Sequence, residues 1–362
     1  MPLHLFQQPT PSRRLAVAPL SALVAVTLAL VGCSTEEPPT NRAVVIVSGG
    51  GAVSPFTTPT EACEYGLAAG NSDTALREYL LEQGKQVYTA PAMLTWGEVV
   101  EPEPDSFGAF GDCPNPLPEQ LNIMSAGDIT ASAEKLARFL NYLGTEYGVT
   151  DVDLVAHSNG GLYSRGAIRI LKQTEAPLTI RSLTMLGTPN EGAVPTAYVA
   201  GEFAVEDCVG DPICLSYNEG WKEYAALVDK GLNAQDTQRY LNGTDQIEGW
   251  NQAQSGYLDG IPVTLLAGTK FTNDAGNPEY WPYDGLVPEL SALATNIPDE
   301  VIPHRTCWSA PLTHSISVSD FAGLDWQTAL TWNADALTRV NEAIDEADSA
   351  LNRPTREGCP TP

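Results

Sequence analysis

The chain is short of positive charge, of histidine and of any metal-binding cysteine pattern. Its 19 Lys+Arg stand against 45 Asp+Glu, a net charge of −26, and such a surface repels a phosphate backbone. Nucleic acid is thereby excluded as a partner. There are only 4 histidines and no Cys-x-x-Cys pair, so a zinc site built on those residues is not expected. No internal repeat is visible, which sets solenoids and propellers aside. The apolar run Leu15–Val31 has 17 residues, slightly short of the roughly 20 a bilayer-spanning helix needs. What remains is 362 residues with 43% hydrophobic side chains, 31 Gly and 28 Pro. That is ordinary globular composition, enough for one large domain or two small ones.

The 7 cysteines are an odd count, which in a disulfide protein needs a reason. The N-terminus supplies one. Arg13 and Arg14 precede the uncharged run Leu15–Val31, which ends in Leu30-Val31-Gly32-Cys33. A basic start, an apolar centre and small residues at the end read as an export signal over residues 1–32. The stretch Leu-Val-Gly-Cys resembles the lipobox of bacterial lipoproteins. That resemblance implies cleavage before Cys33, acylation of Cys33 and a membrane as partner through the lipid, in the bacterial cell envelope; a plain secretory signal is the alternative. Residues 33–42 then form a polar tether. Cys63, Cys113, Cys208, Cys214, Cys307 and Cys359 remain, an even set that suggests three disulfides in an oxidising compartment. Of the fifteen connectivities possible, the short Cys208–Cys214 loop is favoured, with Cys63–Cys113 and Cys307–Cys359 as sequence neighbours.

The pattern from 43 to 354 is that of one α/β domain with a mostly parallel sheet. Ala43–Val47 is a continuous apolar, β-branched run leading into Ser48-Gly49-Gly50-Gly51, which reads as a buried strand and a glycine loop. Ile129, Ala133, Leu136, Leu140, Leu143 and Tyr147 recur at steps of three and four, the signature of an amphipathic helix. Short apolar runs at 152–156, 181–186 and 262–267 alternate with helical segments, the order expected of parallel strands with crossovers. Trp326, Leu330, Leu337, Val340, Ile344, Ala347 and Leu351 keep helical spacing and predict one long final helix. Residues 193–257 are irregular and aromatic, and read as a cap or lid inserted over the carboxyl edge of the sheet. Residues 355–362 read as a tail outside the domain.

The chemical signal is Ala156-His157-Ser158-Asn159-Gly160-Gly161, between a strand and a helix. A serine on so sharp a turn needs small residues two places before and after it, and its hydroxyl then meets the positive end of the following helix. Here the chain resembles the α/β-hydrolases, in particular bacterial lipases and esterases with an Ala-His-Ser-x-Gly-Gly elbow. Leu186-Gly187-Thr188-Pro189-Asn190-Glu191-Gly192 resembles the segment after the next strand in those lipases, with Asn190 where they commonly carry His. Val47-Ser48-Gly49-Gly50 stands where they usually show Val-His-Gly. The resemblance implies an α/β-hydrolase fold and a Ser-His-Asp triad with Ser158 as nucleophile.

A serine hydroxyl at neutral pH needs a base. Once the signal is removed, His157, His304 and His314 are left. His157 is expected to point away from the site. The fold's chain order of Ser, acid, His leaves His304 and His314, of which His314 is favoured because it sits in a polar loop before the final helix. Asp284, in Asp284-Gly285-Leu286-Val287-Pro288, resembles the acid motif of the lipases; Asp274 and Asp299 are the reserves, and an Asp-Gly turn is the plain alternative. The oxyanion hole is expected to use the Asn159 amide and one from the glycine loop, which alignment on the family pattern puts at Gly50, with Gly51 and Ala52 close by.

These roles add up to a hydrolase of carboxylic esters acting outside the cytoplasm. An acyltransferase or thioesterase on the same triad is the enzymatic alternative, and a binding lipoprotein that keeps the fold is the non-catalytic one. Asn273-Asp274-Ala275-Gly276-Asn277 has the composition of a calcium loop, but such clusters are usually turns, and no cofactor is expected.

Overall fold

In a computed structural model, residues 41–63, 72–93, 113–126, 128–227 and 238–361 are described. The signal, Cys33 and most of the tether lie outside them. The centre of the fold is a sheet of seven strands. In chain order these are β1 (Arg42–Val47), β2 (Val87–Thr89), β3 (Asp151–His157), β4 (Thr179–Leu186), β5 (Val263–Gly268), β6 (Arg305–Ala310) and β7 (Arg356–Glu357). Every neighbouring pair runs parallel, and the spatial order is β7-β6-β5-β4-β3-β1-β2.

Alternation along β1 explains how the sheet is covered. Val45 and Val47 belong to one core with Leu136 and Leu140, while Val44 and Ile46 belong to a second core with Leu76, Leu337 and Val340. Successive side chains on a strand face opposite ways, so a continuous apolar run serves both layers. The first layer holds α2 (Ile129–Tyr147) and α3 (Gly160–Gln173); the second holds α1 (Thr74–Glu82) and α6 (Ala334–Asp345). α2 begins where Asp128 accepts from the Thr130 and Ala131 amides and ends at Gly148 with φ 67°, an N-cap and a left-handed C-cap at the ends its periodicity predicts.

Two expectations need correction, and one strand is added. The single long final helix is broken: α6 starts only at Ala334, where the Asn333 side chain accepts from the Asp335 and Ala336 amides. The segment before it is drawn off by other bonds, since Thr313 donates to the Thr328 carbonyl and Leu330 donates to that of Thr313. The strand β6 went unread because its run Arg-Thr-Cys-Trp-Ser-Ala alternates and is only half buried. Of the expected tail, Arg356–Glu357 lie in the sheet as β7, and the Cys307–Cys359 disulfide ties Cys359 to β6. Cys63–Cys113 and Cys208–Cys214 are the other two bridges, the pairing favoured from sequence.

The insertion contains α4 (Val194–Ala200) and α5 (Pro212–Leu227). Cys208 and Cys214 pack in a small separate core with Phe203, Trp281 and Tyr283. Chain order along the sheet reverses between β1 and β3, because β2 lies on one side of β1 and β3 on the other. A crevice opens at the carboxyl ends of strands at such a reversal. The glycine loop after β1 and the serine turn after β3 both end there.

Candidate active site

Ser158 follows β3 directly and has φ 54°, a conformation that non-glycine residues adopt rarely and at a cost. The turn is held from both sides: the Ser158 amide donates to the Leu186 carbonyl at 2.9 Å, and the Thr188 hydroxyl donates to the Ser158 carbonyl at 2.9 Å. Gly160 is required by space, since a Cβ there would lie 2.4 Å from the Val47 carbonyl oxygen. α3 starts at Gly160, which brings its N-terminus to the serine.

His314 and Asp284 come from the loops after β6 and β5. The ring nitrogen Nδ1 lies 2.7 Å from Asp284 Oδ2, and the His314 amide donates to the Asp284 carbonyl at 2.8 Å. Asp284 Oδ1 accepts from the Leu286 and Val287 amides at 2.9 and 2.7 Å. The Asp-Gly turn and the histidine partner are therefore the same residue, one carboxylate oxygen for each. Both side chains are buried. Gly187, with φ 58°, lets them meet: a Cβ there would lie 2.9 Å from His314 Nδ1 and 3.0 Å from Asp284 Oδ2. With Nδ1 engaged by the carboxylate, Nε2 is the nitrogen left for the cleft that His314 and Ser158 both line.

The other candidates lie elsewhere. His304 directly precedes β6, and its carbonyl accepts from Val263, the first residue of β5. It is at the amino edge of the sheet, a strand's length of roughly 20 Å from the carboxyl edge. Asp299 is engaged by Arg356 and Arg305. Asp274 is exposed, in a loop closed by the Asn273 side chain accepting from the Ala275 amide. Among the described residues no group of three or more His, Cys, Asp or Glu is arranged to hold a metal ion.

His157 is a correction. Its ring does not point away from the site: Nε2 donates to the His314 carbonyl at 2.9 Å, and the two ring centroids are 4.7 Å apart. Burial, with the His314 ring facing it, pushes its pKa down to about 3, so it is neutral at physiological pH. Strand alternation sends it to the face opposite Ala156 but says nothing of what lies there.

In the glycine loop, the Gly51 amide donates to Ser125 and the Ala52 amide to Gly49. Among the described residues no acceptor takes the Gly50 or Asn159 amide. The cleft has a volume of about 420 Å³ and is lined by Tyr217 and Trp221 of α5 as well as by the loops. An apolar groove of about 340 Å³ adjoins it at Gly50 and Gly51, between Tyr217, Trp221 and Phe321. The insertion thus does lie over the site.

No protein-family model and no curated protein sequence matches the chain. Among solved structures it is similar to Bacillus licheniformis lipase BlEst2 in mature form, with 15% identity, 70% of this chain and 80% of that one covered, and a TM-score of 0.34. It is similar to Pyrococcus furiosus esterase Pf2001, with 12% identity, 85% and 82% covered and a TM-score of 0.41. A third is MenH from S. aureus, with 15% identity, 86% and 96% covered and a TM-score of 0.37. Likenesses of that degree say nothing about activity. The parallel sheet with its reversal at β1, the serine turn after β3 and the inserted cap are what assign the chain the α/β-hydrolase fold.

Proposed function

We propose that the protein is an exported serine hydrolase that cleaves carboxylic esters through an acyl-enzyme. One observation carries this reading: the strained turn at Ser158 and the His314–Asp284 pair open into one cleft. Ser158 Oγ attacks the ester carbonyl while His314 Nε2 takes its proton. The same nitrogen returns that proton to the leaving alkoxide, then activates the water that releases the acid. Asp284 holds the Nδ1–H tautomer and stabilises the imidazolium. The Asn159 and Gly50 amides receive the oxyanion, helped by the N-terminus of α3. The apolar groove at Tyr217, Trp221 and Phe321 suits a hydrocarbon or aryl arm of the ester.

Three disulfides support an oxidising compartment, and among the described residues no helix is long and apolar enough to cross a membrane. Export, and lipid attachment at Cys33, are part of the proposal. A fluorophosphonate probe tests the activity: it should label the wild type and not Ser158→Ala. An unlabelled wild type, or equal labelling of both, overturns the reading.

A further inference from the structure

Asp73 is a buried acid at the cleft with one oxygen unused. It precedes α1 in the N-cap position, yet its side chain makes no cap. It turns instead toward the glycine loop, where Oδ2 accepts from the Ser48 hydroxyl at 2.7 Å, and Ser48 is in turn 2.8 Å from the Ser54 hydroxyl. Among the described residues Oδ1 has no hydrogen-bond partner, and the residue is only 1% exposed. Buried carboxylate oxygens are almost always paired. Asp73 lines the cleft that Ser158 and His314 share, in company with Ser48, Ser72, Ser315 and Ser317.

Among the described residues no Lys or Arg lines that cleft. Burial pushes the Asp73 carboxyl up to about 6, with the Ser48 hydroxyl opposing, as befits a carboxylate without a counter-charge. At neutral pH it still ionises. The protein's own charge of −26 also concentrates cations at its surface.

We propose that Asp73 is a specificity residue that binds a protonated amine on the substrate, so that the preferred ester carries an ammonium group on the arm opposite the apolar groove. The proposal rests on the ester-hydrolase reading. The ammonium supplies both the missing hydrogen bond to Oδ1 and the missing counter-charge, and Ser48 keeps the carboxylate oriented from its other oxygen. Because Oδ1 is closed to solvent, binding such a group requires the side chains around it to give way. A hydrocarbon arm provides neither, and a hydroxyl provides only the hydrogen bond.

Three nitrophenyl esters test this: aminohexanoate, hydroxyhexanoate and heptanoate, which differ only at the last atom of the chain. Wild-type kcat/KM should favour the ammonium ester over heptanoate by about tenfold or more, the scale of a charge-assisted hydrogen bond. That ratio should collapse toward one in Asp73→Asn and in Asp73→Ser, each checked for folding by its melting curve. No preference in the wild type, an equal preference for the hydroxyl ester, or a ratio unchanged in both variants overturns the proposal. If no ester is turned over, the hydrolase reading fails instead. Calorimetric titration with hexylammonium then decides this one separately: binding to the wild type and loss in Asp73→Asn sustains the cation site, and no binding to the wild type sinks it.

Discussion

The His157 Nε2–H bonds the backbone carbonyl of His314 at 2.9 Å, so the residue before the proposed nucleophile anchors the proposed base. This couples the loop after β6 to the turn after β3. His157 holds the His314 backbone, while Asp284 orients its ring. Because His157 is neutral, no second positive charge would oppose the imidazolium of the proposed mechanism.

Replacing His157 with Phe keeps a flat ring and removes the donor. On a neutral nitrophenyl ester, kcat should fall about tenfold, the worth of one lost buried hydrogen bond of roughly 1.4 kcal/mol, with KM within about twofold. An unchanged kcat in steady-state assays would refute the anchoring role.

Gly160→Ala should both destabilise the fold and silence it, since the added Cβ would be 2.4 Å from the Val47 carbonyl oxygen. Overpacking against backbone costs about 1–3 kcal/mol, read as a lower denaturant midpoint. Ser158→Ala relieves the positive φ by nothing, because alanine also disfavours it, so stability should stay close to wild type while turnover drops by about a millionfold. The pair separates packing from chemistry.

Two buried groups give stability opposite pH dependences. The folded-state pKa of His157 is depressed to about 3, so the unfolded chain binds the extra proton, and this contribution is lost as pH falls from about 6.5 toward 3. The folded-state pKa of Asp73 is raised to about 6, so the native state holds the proton longer, and its destabilising effect grows as pH rises from about 4 to 6. Asp73→Asn should therefore be more stable than wild type at pH ~8, by on the order of 3 kcal/mol, and no more stable at pH ~4. Melting curves at the two pH values check this; equal differences at both would contradict it.

Removing Cys307–Cys359 frees the two-residue strand β7. With the cysteines 52 positions apart in sequence, the double Ser variant should lose about 2–4 kcal/mol. β7 should then exchange its amides at the rate of unprotected chain, measurable by hydrogen exchange. Protection that survives the substitution would mean that the strand pairing stands without the bridge.

Local sequence was enough wherever a residue's chemistry speaks for its own segment. Asp128 and Gly148 bound α2 because capping uses only adjacent amides and a single left-handed residue. The small residues around Ser158 mark a sharp turn for a reason contained in the turn. Asp284 was legible through the resemblance of Asp284-Gly285-Leu286-Val287-Pro288 to the lipase acid motif, and the turn bonds that its carboxylate makes are local. Other features depended on what the chain meets at long range. Sequence favoured His314 over His304 by its loop, but the distance between the two histidines follows from the parallel register of β5 and β6, which puts one at each end of a strand. His157 met His314 across 157 residues of sequence, and Asp73 met Ser48 across the glycine loop; no periodicity encodes either contact. The final helix broke because the backbone of 328–330 was taken up in holding the His314 loop, a competition between hydrogen-bond partners that only the assembled sheet creates.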